Sequence, residues 1–122
     1  TGTHDMNPLR AWWEEDRGVT QRFYNQVLGA WGDAPYFCEP WICEQVVAMH
    51  LKSPAMLTVL PLQDWLAMDV ELRRENPNDE RINVPANSRH YWRYRMHLSL
   101  EELLKADNLN AMIRQKIAES GR

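Results

Sequence analysis

The sequence has little cysteine and no excess of basic residues. Its two cysteines, Cys38 and Cys43, lack the neighbouring cysteine or histidine pairs of a tetrahedral zinc site, so we predict buried thiols and no metal. So few cysteines are typical of a reducing compartment, which favours a cytoplasmic location. Lysine and arginine number 14 against 17 aspartates and glutamates. This balance gives no electrostatic reason to expect nucleic acid or an anionic membrane over the whole surface.

Long apolar runs are also missing. No stretch approaches the roughly 20 apolar residues that cross a bilayer, so we predict no membrane span. Apolar residues are nevertheless 44% of the 122 residues, which is enough for a core. Six tryptophans, four tyrosines and two phenylalanines are many for this length. Since a buried tryptophan usually needs a partner for its indole N–H, we expect some of these rings to face something outside this chain.

Capping residues and helical periodicity predict a mostly helical chain. Asn7 is a predicted N-cap, Gly18 is predicted to separate the first two helices, and Ser99 begins a capping box. Asn108 is the predicted cap of the last helix. The predicted helices are 9–17, 19–28, 40–52, 61–68, 88–96, one that begins after Ser99, and 109–118. Residues 71–85 are predicted to form a long loop with one helical turn.

Two short segments are predicted to be strands. Residues 55–60 are almost continuously apolar, which favours a strand buried on both faces of a parallel sheet, and the helix that follows directly suggests a strand-then-helix unit. Residues 1–4 are predicted to be the end of a second strand that presents Asp5. A strand that ends in an active site needs neighbours, so we expect the chain to be the last piece of a larger enzyme. The predicted fold class is an α-rich α/β fragment, mostly helical in isolation.

Three stretches of the chain resemble one enzyme family in the same order. They are Thr1-Gly2-Thr3-His4-Asp5-Met6-Asn7-Pro8-Leu9-Arg10-Ala11-Trp12-Trp13, then Pro61-Leu62-Gln63-Asp64, and then Ile82-Asn83-Val84-Pro85 leading to Tyr91-Trp92-Arg93-Tyr94-Arg95. Together they are similar to the 4-α-glucanotransferases, or amylomaltases, of glycoside hydrolase family 77. Pro85-Ala86 and His90-Tyr91 look more like the maltose-using, plant-type subgroup than the short bacterial enzymes.

The resemblance implies a (β/α)8 barrel in which residues 1–4 end the seventh strand and residues 55–60 form the eighth. Residues 1–122 would then be one segment of the catalytic barrel and not a complete domain. The resemblance also implies retaining transfer of glucosyl or maltosyl units from maltose or maltooligosaccharides to a glucan acceptor, without a cofactor. Asp5 matches the carboxylate that stabilises the transition state, His4 matches a sugar-binding imidazole, and Asn83 matches a loop that lines the sugar cleft. The nucleophile and the acid/base belong to earlier strands, so this chain alone, without the rest of the barrel, is expected to be inactive.

Several alternatives remain open from the residues alone. Residues 89–97, the basic aromatic segment, suit a small helical nucleic-acid-binding module, although burial against the rest of a barrel with the arginines paired to carboxylates is favoured. A non-catalytic carbohydrate-binding piece that uses exposed tryptophan is a third hypothesis. Gln63 and Asp64 lie where barrel enzymes place site residues, but a helix start, where the dipole favours an acidic side chain, is the preferred interpretation.

Overall fold

A computed structural model describes residues 2–122, and these residues are mainly helical, as the capping pattern predicts. The helices are α1 (Leu9–Glu15), α2 (Arg17–Gln26), α3 (Pro40–Leu51), α4 (Leu62–Leu66), a 3₁₀ helix (Pro77–Glu80), α5 (Leu100–Leu104) and α6 (Asp107–Glu119). The described residues contain no β-strand. None of the helices within residues 2–122 has the length and apolarity needed to cross a membrane.

Helix α3 forms the centre of the core. Pro40 occupies its first turn, where the missing N–H costs nothing, and the apolar residues that follow are buried on several faces. Ile42 and Val47 are fully buried, and α4 and α6 pack against this helix. From α1, Trp13 enters the same core and donates its indole N–H to the Pro35 carbonyl at 3.0 Å. Burial of this apolar surface is the main force that holds the helices together.

The two cysteines are buried thiols in this core, as predicted. Their sulfur atoms lie 3.5 Å apart, and both side chains are almost completely inaccessible. The hydrogen bond with Cys43 and burial raise the pKa of the Cys38 thiol. Both effects favour the neutral, unreactive thiol over the thiolate.

The predicted strand at residues 55–60 is wrong for this chain. The segment is extended but has no strand partner, and three of its apolar side chains are exposed by 81 to 92%, namely Met56, Leu57 and Val59. A strand is stabilised by hydrogen bonds to a neighbour and by burial of its faces. No described segment supplies that neighbour, so the apolar run alone does not produce a strand.

The predicted strand at residues 1–4 is also not observed in the part of it that the structure describes. Thr1 lies outside the described residues, and residues 4–6 form a turn. The N–H of Met6 donates to the Thr3 carbonyl at 3.0 Å, and that of Asp5 donates to the Thr3 hydroxyl at 3.4 Å. Local hydrogen bonds therefore replace the ladder that an extended strand would need.

The predicted helix at residues 88–96 is wrong as well. Turns at residues 84–87 and 87–90 precede a stretch without regular secondary structure, and hydrogen bonds near the end of this stretch join it to Leu72 and Arg74. The Arg74 guanidinium donates to the Arg95 carbonyl, and His97 lies 2.7 Å from the Leu72 carbonyl oxygen. Because the polar and aromatic residues are spread around a helical circumference, a helix here would have no apolar face to bury.

Three helix ends differ from prediction. Asn7 does not cap α1: Pro8 occupies the N-cap position, and the Asn7 side chain donates to Glu15 while its Oδ1 atom accepts no hydrogen bond from the described residues. Asp16 both ends α1 and caps α2 by accepting the Val19 N–H, so Gly18 lies inside α2. Helix α6 begins at Asp107, which leaves Asn108 inside it. The capping box at Ser99 is confirmed in full.

Candidate active site

The turn before α1 presents His4 and Asp5 side by side. The Nε2 atom of His4 lies 3.4 Å from the Oδ1 atom of Asp5, and the two side chains are 50% and 53% exposed. A carboxylate and an imidazole that are both half exposed can contact a ligand directly. The turn therefore offers one acidic group and one group able to donate or accept a hydrogen bond.

Asn83 reaches the same carboxylate from a distant part of the sequence. Its Nδ2 atom donates to Asp5 Oδ1 at 2.7 Å across 78 positions of the chain. Its Oδ1 atom accepts the Val84 N–H at 2.9 Å, which fixes the orientation of the amide. The three residues singled out by motif are thus brought together in one cluster.

Trp92 completes the cluster, and sequence reasoning missed it. Its ring centroid lies 4.9 Å from that of His4 at an interplanar angle of 51°. The side chain remains 57% exposed, so an indole face is available to a ligand. Trp92 belongs to the third resembling stretch, and that motif was the one available signal, but the segment was assigned to a helix and its contact with His4 was not predicted.

A buried carboxylate supports the start of α1. The N-cap residue of this helix is Pro8, which offers no side-chain hydrogen bond, and the Leu9 N–H donates instead to Asp64 Oδ1 at 3.0 Å. Asp64 is only 1% exposed, and burial raises its pKa despite that hydrogen bond. The preferred structural interpretation of Asp64 is therefore supported, but the helix it caps is α1 and not its own.

A buried ion pair joins α1 to the 3₁₀ helix. Arg10 Nη1 lies 2.8 Å from Glu80 Oε1, and the same guanidinium donates to the carbonyls of Arg74 and Glu75. Burial raises the pKa of Glu80, and the positive charge of Arg10 opposes that shift. Gln63 donates to the Glu80 carbonyl at 3.1 Å, so α4 is tied to the same point.

A small cavity of about 50 Å³ lies against these groups. His4, Asn7, Asp64 and Glu80 are among the residues that line it. One buried oxygen from each of Asn7, Asp64 and Glu80 accepts no hydrogen bond from the described residues. An unpaired carboxylate oxygen in a buried site is costly, in agreement with the raised pKa of both Asp64 and Glu80.

The basic aromatic segment is largely exposed in the described part of the chain. Arg93 stacks over the Tyr91 ring at 4.2 Å, and Arg74 lies over Tyr94 at 5.8 Å. Tyr91 and Trp92 are exposed, so the segment is not buried within this chain. Among residues 2–122 its arginines form no ion pair with a carboxylate. The favoured interpretation, burial against the rest of a barrel, concerns residues outside this chain and stays a prediction.

A carboxylate, an imidazole, an amide and an exposed indole in one cluster offer both polar groups and an apolar face to a ligand. In comparison with known proteins, residues 1–101 match the family model of glycoside hydrolase family 77, described as 4-alpha-glucanotransferase. The chain belongs to this family.

Individual relatives agree with this assignment. A 4-alpha-glucanotransferase DPE2 of Oryza sativa subsp. japonica is 40% identical over 98% of this chain. A 4-alpha-glucanotransferase of Chlamydia caviae is 32% identical over 91% of the chain, and the chloroplastic/amyloplastic enzyme of Solanum tuberosum is 28% identical over 100%. The chain spans 13% of the rice protein and 21% of the chlamydial one. No solved structure matches it significantly. Nothing in these relatives supports the nucleic-acid alternative.

Proposed function

We propose that this chain is the C-terminal part of the catalytic barrel of a 4-α-glucanotransferase. The intact enzyme transfers glucosyl or short maltosyl units from maltose or maltooligosaccharides to a glucan acceptor, with retention at the anomeric carbon. The observation that carries the proposal is the hydrogen bond from Asn83 to Asp5, because it joins two family motifs that lie 78 positions apart.

Asp5 is the proposed stabiliser of the transition state. Transfer of a glucosyl unit passes through an oxocarbenium-like state that carries positive charge on the sugar ring. A fixed carboxylate oxygen close to that ring is worth more as the charge develops than in the ground state. Asn83 supports this role because its amide holds Oδ1 in place, while Oδ2 is left to face the sugar.

His4, Asn83 and Trp92 are the proposed sugar contacts. An imidazole nitrogen suits a ring hydroxyl, and the exposed indole of Trp92 suits the apolar face of a glucose ring. The 4.9 Å contact between His4 and Trp92 restricts the imidazole on one side. The cluster would thus bind hydroxyls with its polar groups and stack one ring on tryptophan.

The rest of the catalytic machinery is proposed to lie in the remainder of the barrel, which is the chain's main partner. A retaining mechanism needs a nucleophile and an acid/base about 5 to 5.5 Å apart, and these belong to earlier strands in the family. The exposed, extended and apolar segment 55–60 supports a place as the eighth strand, since it has the composition of a strand buried on both faces. The isolated chain is therefore inactive, and the mechanism requires no cofactor.

The motif near residues 83–95 and the 40% identity to the rice relative support the plant-type subgroup. Two buried, unpaired thiols support a reducing and hence cytoplasmic location. The potato relative is named as chloroplastic or amyloplastic. The cytoplasmic location proposed here is therefore tested by direct localisation of this protein.

The direct test replaces Asp5 by asparagine in the full-length parent enzyme. Asp5→Asn keeps the volume and removes the charge, so we expect kcat for glucosyl transfer from maltose to fall by about 10²- to 10³-fold. Thermal unfolding should be unchanged, because Asp5 is half exposed.

The matched control is Asp33→Asn, which removes a charge from an exposed loop outside the cluster. This variant should retain full activity. Equal activity of the Asp5 and Asp33 variants would reject the proposed role of Asp5.

A further inference from the structure

Helix α1 has no N-cap side chain from the adjoining sequence, and a distant residue accepts its first N–H instead. Pro8 precedes the helix, and no side chain from the adjoining sequence satisfies the first N–H groups. Asp64, 55 positions away, accepts the Leu9 N–H, and both residues are buried. A helix N-terminus attracts a negative or strongly accepting group, so this contact fixes where α1 begins.

The position of Asp5 depends on that starting point through a short connection. Only Met6, Asn7 and Pro8 separate Asp5 from Leu9, and Pro8 has a fixed φ. The turn that contains Asp5 is closed by the Met6 N–H bond to Thr3. We therefore expect a displacement of Leu9 to move Asp5 as well, because few residues between them can adjust.

The other side of the cluster is held by the neighbouring residue on α4. Gln63 donates to the carbonyl of Glu80, which lies three positions before Asn83. Arg10 adds a second connection, because its ion pair joins α1 to Glu80 directly. Adjacent residues of one short helix thus hold both partners of the hydrogen bond between Asn83 and Asp5.

We propose that Asp64 is a positioning residue of the active site, which acts by fixing the start of α1 and with it the catalytic turn. Gln63 has the same role for the Asn83 side. This inference rests on the proposed function of Asp5. In this proposal neither Asp64 nor Gln63 touches the reacting sugar. Asp64 fixes the position of Asp5, and Gln63 fixes the position of Asn83.

The hydrogen bond from the Leu9 N–H requires an accepting oxygen at position 64 and does not require a negative charge there. Asp64→Asn keeps an oxygen for the Leu9 N–H and should preserve most of kcat in the full-length enzyme. Asp64→Leu removes that acceptor at similar volume and should lower kcat by about 10- to 100-fold, since a shift of about 1 Å in a catalytic group has effects of this size. Thr20→Val is the matched control, because it removes a buried hydrogen bond to the Trp13 carbonyl away from the cluster and should leave kcat unchanged.

A double-mutant cycle with Asp5→Asn separates positioning from general loss of structure. If Asp64 acts through Asp5, Asp64→Leu should have little further effect on kcat once the Asp5 charge is gone. A structural role would reduce activity by the same factor in both backgrounds, and that result would overturn the inference. So would a loss of kcat in Asp64→Leu no larger than that in Thr20→Val.

Two further outcomes are distinguishable. If Asp5→Asn alone leaves activity intact, the proposed function fails and not merely the positioning role. If Asp64→Leu does not fold, Gln63→Met is carried through the same cycle. This variant removes the hydrogen bond from Gln63 to the Glu80 carbonyl and leaves the cap of α1 in place. An equal effect of Gln63→Met in both backgrounds would then overturn the inference.

Discussion

Asp64 illustrates at the scale of one residue how burial changes what a carboxyl group does. Its Oδ1 atom accepts a hydrogen bond from the Leu9 N–H, and its Oδ2 atom accepts none within residues 2–122. Burial raises its pKa more than that single hydrogen bond lowers it. Burial therefore disfavours the charged form of Asp64, while its oxygen still accepts the Leu9 N–H.

The raised pKa of Asp64 predicts how the stability of the chain depends on pH. A raised carboxyl pKa means that the folded state holds its proton more tightly than the unfolded state. The resulting contribution to the free energy of unfolding is complete below the unfolded pKa and is lost as the pH rises through the folded pKa. Glu80 acts in the same direction, because burial raises its pKa also.

Asp64→Asn should remove the Asp64 part of this dependence. Urea unfolding of the chain from about pH 4 to pH 8 should show a smaller decrease in stability for the variant than for the native sequence. Asp33→Asn, which alters an exposed carboxylate, should keep the native slope. A native slope in Asp64→Asn would mean that burial does not raise the pKa of Asp64.

At the level of single residues, the motif selected side chains that lie together in the structure, while their roles stay predictions. His4, Asp5 and Asn83 were selected by resemblance, and the structure brings them into contact. The contact of Trp92 with His4 and the cap that Asp64 provides to α1 were missed. Both depend on which distant segments meet in space, and spacing along one segment carries no information about that.

At the scale of elements, α1 is held by buried polar contacts in addition to its apolar face. Asp64 caps it, and the Arg10–Glu80 pair joins it to the 3₁₀ helix. Side-chain exposures of 7% and 3% make this pair a buried one. Loss of one partner leaves an uncompensated charge in the interior.

Arg10→Met should therefore lower the free energy of unfolding by about 3–5 kcal/mol. The double variant Arg10→Met/Glu80→Met should recover most of that loss, because it leaves no buried charge behind. Lys116→Met is the control, since the Lys116–Glu44 pair is partly exposed and should contribute about 0–1 kcal/mol. Denaturant unfolding checks all three, and a double variant as unstable as Arg10→Met would contradict the account.

Elements with local signals were predictable, and those that need a partner were not. Pro40 at the start of α3 and the capping box at Ser99 are local, and both were predicted correctly. Residues 55–60 have the composition of a buried strand but no neighbour here to pair with. Residues 88–96 were assigned to a helix, yet the stretch lacks regular secondary structure, and hydrogen bonds near its end join it to Arg74 and Leu72. Tertiary contacts decide both segments, and a single sequence does not reveal them.

At the scale of the whole molecule, several large apolar side chains are exposed, and we propose that the rest of the enzyme covers them. Met56, Leu57 and Val59 lie on the extended segment, and Trp31 is 95% exposed. Large exposed apolar groups of this kind mark interaction surfaces. The chain's span of 13% of the rice relative agrees with a segment whose remaining contacts are made by the rest of the enzyme.

The central claim is that this chain supplies one acid to a sugar-transfer site that other residues complete. Its most direct measurement is glucose release from maltose, with a glycogen acceptor, by a parent enzyme truncated before residue 1 and coexpressed with this chain. We predict no activity from either piece alone, restored activity from the pair, and a loss of about 10²- to 10³-fold when the chain carries Asp5→Asn. Transfer by the isolated chain, or equal activity of the pair with Asp5→Asn, would contradict the account.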